Sequence, residues 1–199
     1  MNLQKIYILV LFYLFLPGVA FGQSSFLLAN RYTVYGINAP VFDAQGVPLS
    51  GAIYQAELWG GVSSNSLAPA LVLNSGNTRL FVPFTPGGYF FSSVSTLSVR
   101  DVAPRGYAWL QIRAWDARLG STYESVTALD IGGYGASPLF YAQGNDPLAL
   151  PPAPPAPLLG LQSFSLLPVV PEPGTGVLVL LGFGCVAAWR WFNRRAHSP

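Results

Sequence analysis

Short β-rich runs separated by turn residues fill the middle of this 199-residue chain and constrain its fold most strongly. The runs are rich in β-branched and aromatic residues and recur at roughly 8–12-residue spacing. They cover residues 31–35, 52–59, 71–73, 79–84, 89–91, 94–99, 107–115, 122–126 and 139–142. No stretch has the 3.6-residue apolar period of a helix. The pattern therefore predicts an all-β domain, specifically an Ig-like or jelly-roll-like β-sandwich.

The run at residues 107–115 shows the clearest alternation. Successive side chains of a strand point to opposite faces. One face is apolar and predicts the core side; it consists of Ala108, Leu110, Ile112 and Ala114. The other face combines aromatic and polar side chains; it consists of Tyr107, Trp109, Gln111, Arg113 and Trp115.

This second face motivates a glycan-binding hypothesis. An aromatic ring matches the apolar face of a pyranose, so Tyr107, Trp109 and Trp115 are candidate stacking residues for an extracellular polysaccharide. The alternative is that neighbouring strands or loops cover these rings as ordinary packing.

The N-terminus has the features of a signal peptide. A positive start with an early lysine precedes an apolar run at residues 6–16 and a helix-breaking Pro-Gly pair at residues 17–18. Ala20 and Gly22 are small residues at the positions that signal peptidase reads, so cleavage is predicted before Gln23. The segment predicts export through the translocon, and a retained signal anchor is the alternative.

The C-terminus carries a second apolar segment. Residues 177–189 contain no charge, and the longer stretch 175–192 is interrupted only by Arg190. As a helix this stretch would be roughly 27 Å long, close to the thickness of a bilayer core. Arg190, Arg194 and Arg195 form a basic stop signal that predicts a cytoplasmic C-terminus. The pattern predicts a single transmembrane helix over residues 177–191, with a buried helix of a soluble domain as the alternative.

A short motif precedes this span: Pro171, Glu172 and Pro173. Over residues 170–197, the order of motif, apolar helix and arginines resembles the PEP-CTERM sorting signal of Gram-negative bacteria. The resemblance implies that an exosortase, a membrane-embedded protease, recognises the tail and cleaves near the motif. The protein would span the inner membrane transiently and then reach the cell surface or extracellular matrix. A permanently anchored surface protein whose tail is never cut is the alternative.

A looser resemblance concerns the middle of the chain. Residues 41–54, 113–116 and 122–124 resemble a recurring ectodomain of PEP-CTERM proteins that has no known activity.

These features divide the chain into four parts: a signal peptide at 1–22, a β-sandwich ectodomain at 23–144, a proline-rich segment at 145–169 and the sorting signal at 170–199. The prolines at residues 151–157 predict a semi-rigid polyproline II spacer. Residues 161–169 are compatible with a last strand of the sandwich or with a stalk, and their partial alternation favours the strand.

The composition between residues 23 and 170 limits the chemistry. This region contains no Cys, His, Lys or Met. It therefore cannot supply a Cys nucleophile, a Ser-His-Asp triad, a Schiff-base lysine or a His- or Cys-bound zinc. Its charges nearly cancel, with six arginines and seven acidic residues, so no nucleic-acid-binding patch is expected.

Carboxylates are the remaining candidates for catalysis. Asp116 and Glu124 flank a turn and could form the acid pair of a glycosidase, but surface ion pairs with Arg113 and Arg118 are favoured. Asp43 and Asp130 do not lie in the dense acidic loops that bind calcium. We therefore expect a non-enzymatic surface protein, without cofactor or metal, in a structural or exopolysaccharide-associated role.

Overall fold

The computed structural model describes residues 23–170 except residues 74 and 77. The predicted signal peptide, transmembrane helix, Pro171-Glu172-Pro173 motif and basic stop signal lie outside the described residues. Within the described part of the chain, no helix has the length and apolarity needed to span a bilayer.

The described residues form an almost entirely β structure, which confirms the predicted all-β class. The strands are β1 (Ser25–Ala29), β2 (Arg31–Tyr32), β3 (Ile37–Asn38), β4 (Val41–Phe42), β5 (Gly51–Gly61), β6 (Ala68–Pro69), β7 (Leu71–Val72), β8 (Val82–Phe84), β9 (Phe91–Ser98), β10 (Tyr107–Asp116), β11 (Tyr134–Ala136), β12 (Phe140–Gln143) and β13 (Phe164–Ser165). A 3₁₀ turn at Thr33–Tyr35 and one short α-helix, α1 (Tyr123–Thr127), complete the described elements.

The larger sheet is built around the antiparallel pair β5 and β10. Their register runs from Trp109 opposite Gly61 to Asp116 opposite Tyr54. The other edge of β10 pairs with β12 along its first half and with β11 along its second half. The strands β6 and β8 pair with the other edge of β5. The long strand β10 is therefore fully enclosed by neighbours, so its outward side chains sit in the middle of a broad face.

The second sheet has the order β1-β9-β7 and shares one hydrophobic core with the first. The inward side chains of β10 confirm the predicted alternation, because all four apolar positions are fully buried: Ala108, Leu110, Ile112 and Ala114. From the smaller sheet, Phe26, Leu28 and Leu97 are buried in the same cluster.

Several local predictions differ from the structure. Residues 31–35 form a two-residue strand followed by the 3₁₀ turn rather than one strand. Residues 89–91 and 94–99 were predicted as two runs, but β9 is one continuous strand between Phe91 and Ser98. The strand β1 was not predicted, because it lies directly after the predicted signal-peptide cleavage site.

The run at residues 122–126 was predicted as a strand and is instead the helix α1. Thr122 and Ser125 form a reciprocal cap: the Ser125 amide donates to Thr122 Oγ1 at 3.2 Å, and the Thr122 amide donates to Ser125 Oγ at 3.1 Å. This capping box satisfies amides that a helix start leaves unpaired. The strand prediction depended on the β-branched and aromatic residues of the run. It was wrong because these local hydrogen bonds favour the start of a helix.

The proline-rich segment, predicted as a semi-rigid polyproline II spacer, packs against the domain. The Leu27 amide donates to the Ala156 carbonyl at 2.8 Å, and the Ala156 amide donates to the Ser25 carbonyl at 3.0 Å. Ala156 and Leu158 are buried in the common core.

The following residues include a last strand, as favoured from the sequence. The strand β13 pairs in parallel with β4, placing Phe164 opposite Val41, and the Val170 amide donates to the Ile131 carbonyl at 2.8 Å. The packed structure therefore reaches the residue before Pro171.

Candidate functional site

Three aromatic rings form an exposed patch on the outward face of the larger sheet. Tyr107 and Trp109 lie on β10, and Tyr141 on β12 is directly opposite Trp109 in the register. The rings of Tyr107 and Tyr141 are stacked, with centroids 5.2 Å apart and planes 16° apart. The Trp109 ring is 5.1 Å from the Tyr141 ring and tilted by 46°. We call these three residues the aromatic patch.

The patch is accessible to a ligand. Tyr107 is 52% exposed, Tyr141 is 54% exposed and Trp109 is partly buried beside them. Tyr141 was not among the predicted stacking residues, although the alternation within residues 139–142 indicates its outward direction. Phe140 and Ala142 are buried, so the residue between them points outward.

Trp115 does not belong to this patch, and its prediction as a stacking residue is wrong. Its side chain is fully buried. Its ring meets the Phe81 ring edge-on at 5.2 Å, and its Nε1–H donates to the Gly120 carbonyl at 3.1 Å. The segment containing Phe81 and the turn after β10 therefore cover this end of the face. Alternation predicted the correct face for Trp115 but could not predict that other segments bury it.

The middle of the face carries an arginine held above a tryptophan. The Arg113 Cζ lies 3.6 Å from the centroid of the Trp59 ring and 5.1 Å from that of Tyr123. Its Nε–H donates to Gln111 Oε1 at 3.0 Å. Burial of the Arg113 guanidinium lowers its pKa from the usual value. The group is thus oriented by cation–π contact and by one hydrogen bond.

An open cleft of about 230 Å³ lies at this arginine; it is lined by Ser64, Asn65, Leu67, Gln111, Arg113 and Leu139. Pairing of β6 with β5 returns the connecting loop to the sheet. Gly61 allows this close approach, since a Cβ there would lie 2.4 Å from the Ser66 carbonyl oxygen. The loop therefore places Ser64 and Asn65 beside the outward side chains of β10.

A buried ion pair lies beside this arginine, because Glu57 is directly opposite Arg113 in the register of β5 and β10. Glu57 is fully buried, and its carboxylate accepts bonds from Arg79 Nε at 2.6 Å and Trp59 Nε1 at 2.8 Å. Arg79 Nη2 donates both to Glu57 Oε2 at 2.6 Å and to Glu124 Oε2 at 3.0 Å. Hydrogen bonding to Glu57 raises the pKa of Arg79, so this cation stays charged.

The predicted ion pairs of Asp116 and Glu124 are confirmed in one case only. Arg118 Nε donates to Asp116 Oδ1 at 2.9 Å, as predicted. Glu124 pairs with Arg79, which was not one of the two expected partners. Burial raises the pKa of both carboxyl groups, but the hydrogen bonds that they accept outweigh burial and lower the pKa of each below its usual value.

The two aspartates considered for calcium have local roles. Asp43 Oδ1 accepts the amides of Gln45 at 2.9 Å and Val47 at 2.8 Å, which closes a turn. Asp130 has a φ of 54° in the connection after α1. Across residues 23–170 as described, no three His, Cys, Asp or Glu side chains come together in a group able to hold a metal ion.

The comparisons with known proteins identify the C-terminal region. Residues 169–195 match the family model of the PEP-CTERM protein-sorting motif. The C-terminal region of the chain therefore carries a PEP-CTERM protein-sorting motif. The matched range includes Pro171, Glu172, Pro173 and the three arginines of the basic stop signal, whose individual roles stay predictions. No curated protein and no solved structure matches the chain.

The motif defines the route of the protein. A PEP-CTERM motif indicates processing by an exosortase and export through the membrane to the cell surface or extracellular space. The described domain begins next to the predicted signal-peptide cleavage site and reaches the first residues of the motif.

Proposed function

We propose that this chain is a non-enzymatic, exosortase-sorted protein that binds extracellular polysaccharide through the aromatic patch of a β-sandwich ectodomain. The observation that carries the proposal is the surface cluster in which the Tyr141 ring stacks on Tyr107 and contacts the tilted, partly buried ring of Trp109. Its destination is the cell surface or extracellular matrix, where polysaccharide is available.

Physical chemistry favours a stacked patch as a sugar platform. Tyr and Trp present an apolar ring with a polar tip, so they can remain at the surface and still bury apolar area when a ligand arrives. The rings already contact one another on paired strands, so binding orders few additional rotamers. A rigid platform of this kind suits a repeating polymer that presents many equivalent sugar faces.

The first test is removal of one ring at a time. Trp109→Ala and Tyr141→Ala are expected to weaken retention on the polysaccharide of the producing cells by about 10-fold each, the usual effect of removing a central aromatic contact. The measurement is affinity electrophoresis of the full-chain protein, isolated from its producing cells, in gels with and without the polymer.

A matched control is available on the β2–β3 hairpin. Tyr35 is 52% exposed, as is Tyr107, and forms an edge-on pair with Tyr32. Tyr35→Ala therefore removes an equally exposed ring outside the patch and is expected to leave retention unchanged. If the patch variants are folded by circular dichroism and still bind like the wild type, the proposal is wrong.

The arginine partners of the carboxylates and the lowered pKa values of Asp116 and Glu124 favour binding over glycoside hydrolysis as the function. A glycosidase needs one carboxylic acid with a raised pKa to protonate the leaving oxygen. Arg79 instead donates to both Glu57 and Glu124, and the pKa of Glu124 is lowered. Asp116 is held by Arg118, which favours the same charged state.

The sorting part of the proposal is tested by mass. We expect protein recovered from cells and medium to begin at Gln23 and to end near Pro171–Pro173, with any added group visible as extra mass. Glu172→Ala is expected to retain the tail, because it alters the motif that the exosortase reads. A wild-type mass that includes Pro199 would instead favour a permanently anchored surface protein.

A further inference from the structure

We propose that Arg113 is an anion subsite beside the aromatic patch, so that the polymer recognised is an anionic polysaccharide bearing carboxylate or sulfate groups. This inference rests on the proposed function and specifies its ligand class. Its basis is a half-buried, oriented guanidinium that faces an open cleft and has no carboxylate partner among the described residues.

The three arginines of this region differ in their partners. Arg79 bonds Glu57 and Glu124, and Arg118 bonds Asp116. Arg113 has only the amide oxygen of Gln111 as a hydrogen-bond acceptor within the described part of the chain, and that bond uses Nε. Its Nη groups are therefore available for a ligand.

The fixed position of Arg113 favours anion binding by its Nη groups. Contact with the Trp59 ring at 3.6 Å and the bond to Gln111 hold the guanidinium on the face of the sheet. A guanidinium binds carboxylate or sulfate oxygens through parallel N–H bonds, and charge-assisted bonds are stronger than neutral ones. An oriented arginine loses little side-chain entropy when such an anion binds.

Electrostatics point in the same direction. Burial is the largest influence on Arg113 and lowers its pKa; the nearby charges of Glu124 and Glu57 raise the pKa but do not offset burial. Arg79, which bonds both carboxylates directly, has a raised pKa. An anion in the cleft would offset the desolvation of Arg113. The cleft also presents the short polar side chains of Ser64 and Asn65, which can bond sugar hydroxyls.

Subsite and patch lie on one line along β10. Trp109, Gln111 and Arg113 occupy alternate positions on the same face, so Trp109 and Arg113 are about 13 Å apart along the strand. A polymer lying along this strand could stack on the patch and place a charged substituent at Arg113. A single short ligand at either position would gain only one of the two contacts.

The test compares ligands that differ only in charge. Full-chain protein is titrated with oligogalacturonate, with the same oligomer fully methyl-esterified, and with dextran and dextran sulfate, all at fixed ionic strength. We expect about 10-fold tighter binding of each anionic ligand than of its neutral counterpart, in line with a charge-assisted bond. If only oligogalacturonate binds more tightly than its neutral counterpart, the subsite recognises a carboxylate. If only dextran sulfate binds more tightly than dextran, the subsite recognises a sulfate.

Variants separate the subsite from general electrostatics. Arg113→Gln is expected to abolish the preference while binding to the neutral oligomer remains. Arg113→Lys is expected to keep only part of the preference, because lysine lacks the planar fork. The control is Arg31→Gln, which removes the same charge from an exposed arginine that lies over the Tyr89 ring at 4.9 Å.

The outcomes distinguish the two proposals. Equal binding of charged and neutral ligands, or an equal loss of preference in Arg31→Gln and Arg113→Gln, would overturn the anion subsite and leave the glycan-binding proposal standing. If neither wild-type protein nor any variant binds a charged or neutral ligand, and the native polymer is not retained either, the proposed function itself is wrong.

Discussion

At the scale of single residues, burial depends on what covers a side chain and not only on the direction in which it points. Glu57 and Trp115 both lie on the outward face of the larger sheet, yet both are fully buried. Glu57 is covered together with its partner Arg79, so its charge is matched inside the structure. Tyr107 has the same orientation on β10 and stays exposed because none of the described segments covers that end.

Breaking the buried pair should be costly. Arg79→Met leaves the Glu57 carboxylate with only the Trp59 N–H as donor, so we expect a loss of about 3 kcal/mol in the free energy of unfolding. This is the lower end for a broken buried pair, because the Arg79 side chain is 28% exposed. The measurement is urea denaturation of the full chain followed by fluorescence.

Arg118→Met is the matched control, since Arg118 also pairs with an acid but its side chain is 63% exposed. Its loss is expected to cost clearly less than the loss of Arg79, because the exposed Arg118 guanidinium is screened by water and the Arg118 amide still donates to Asp116 Oδ1. The double variant Glu57→Leu/Arg79→Met should recover part of the loss, because no charge is left unpaired. Equal costs for the two single variants would contradict this account.

At the scale of elements, long alternating segments were predictable and short ones were not. The strands β5 and β10 were predicted within two residues at either end, because a period of two over eight or more residues leaves few alternatives. Helix α1 has five residues, and its start depends on the hydrogen bonds between Thr122 and Ser125. A propensity for strand in so short a segment is easily overridden by such a cap.

The candidate site was likewise predictable only in part. Alternation along β10 predicted the face with Tyr107 and Trp109, and the structure places both there. It could not identify Tyr141 as their neighbour, because pairing of β12 with β10 joins residues more than thirty positions apart. The same limit hid the Trp59–Arg113 contact, which depends on the pairing of β5 with β10.

At the scale of the whole molecule, the proline-rich segment belongs to the folded domain. It contributes Ala156 and Leu158 to the core, and Leu166 is buried close to β13. Its prolines are compatible with this role, since the segment bonds β1 at only a few backbone positions. Residues after 144 therefore pack with the predicted ectodomain at 23–144.

Two fragments test this boundary. We expect residues 23–170 to unfold cooperatively with the midpoint of the domain in the full chain. Residues 23–144 should be destabilised by several kcal/mol, because each lost large apolar side chain costs about 2–5 kcal/mol against a total stability of about 5–15 kcal/mol. The measurement is urea unfolding, and equal midpoints for the two fragments would show that residues 145–170 add no stability.

The sequence by itself determined the PEP-CTERM motif, the all-β class and the two faces of β10. These properties depend on the order and period of residues along one segment, and the chain displays both directly. Tertiary structure alone decided which rings remain exposed, which carboxylate each arginine binds and where the proline-rich segment lies. Those outcomes depend on contacts between segments distant in sequence, whose pairing results from the burial of the entire core.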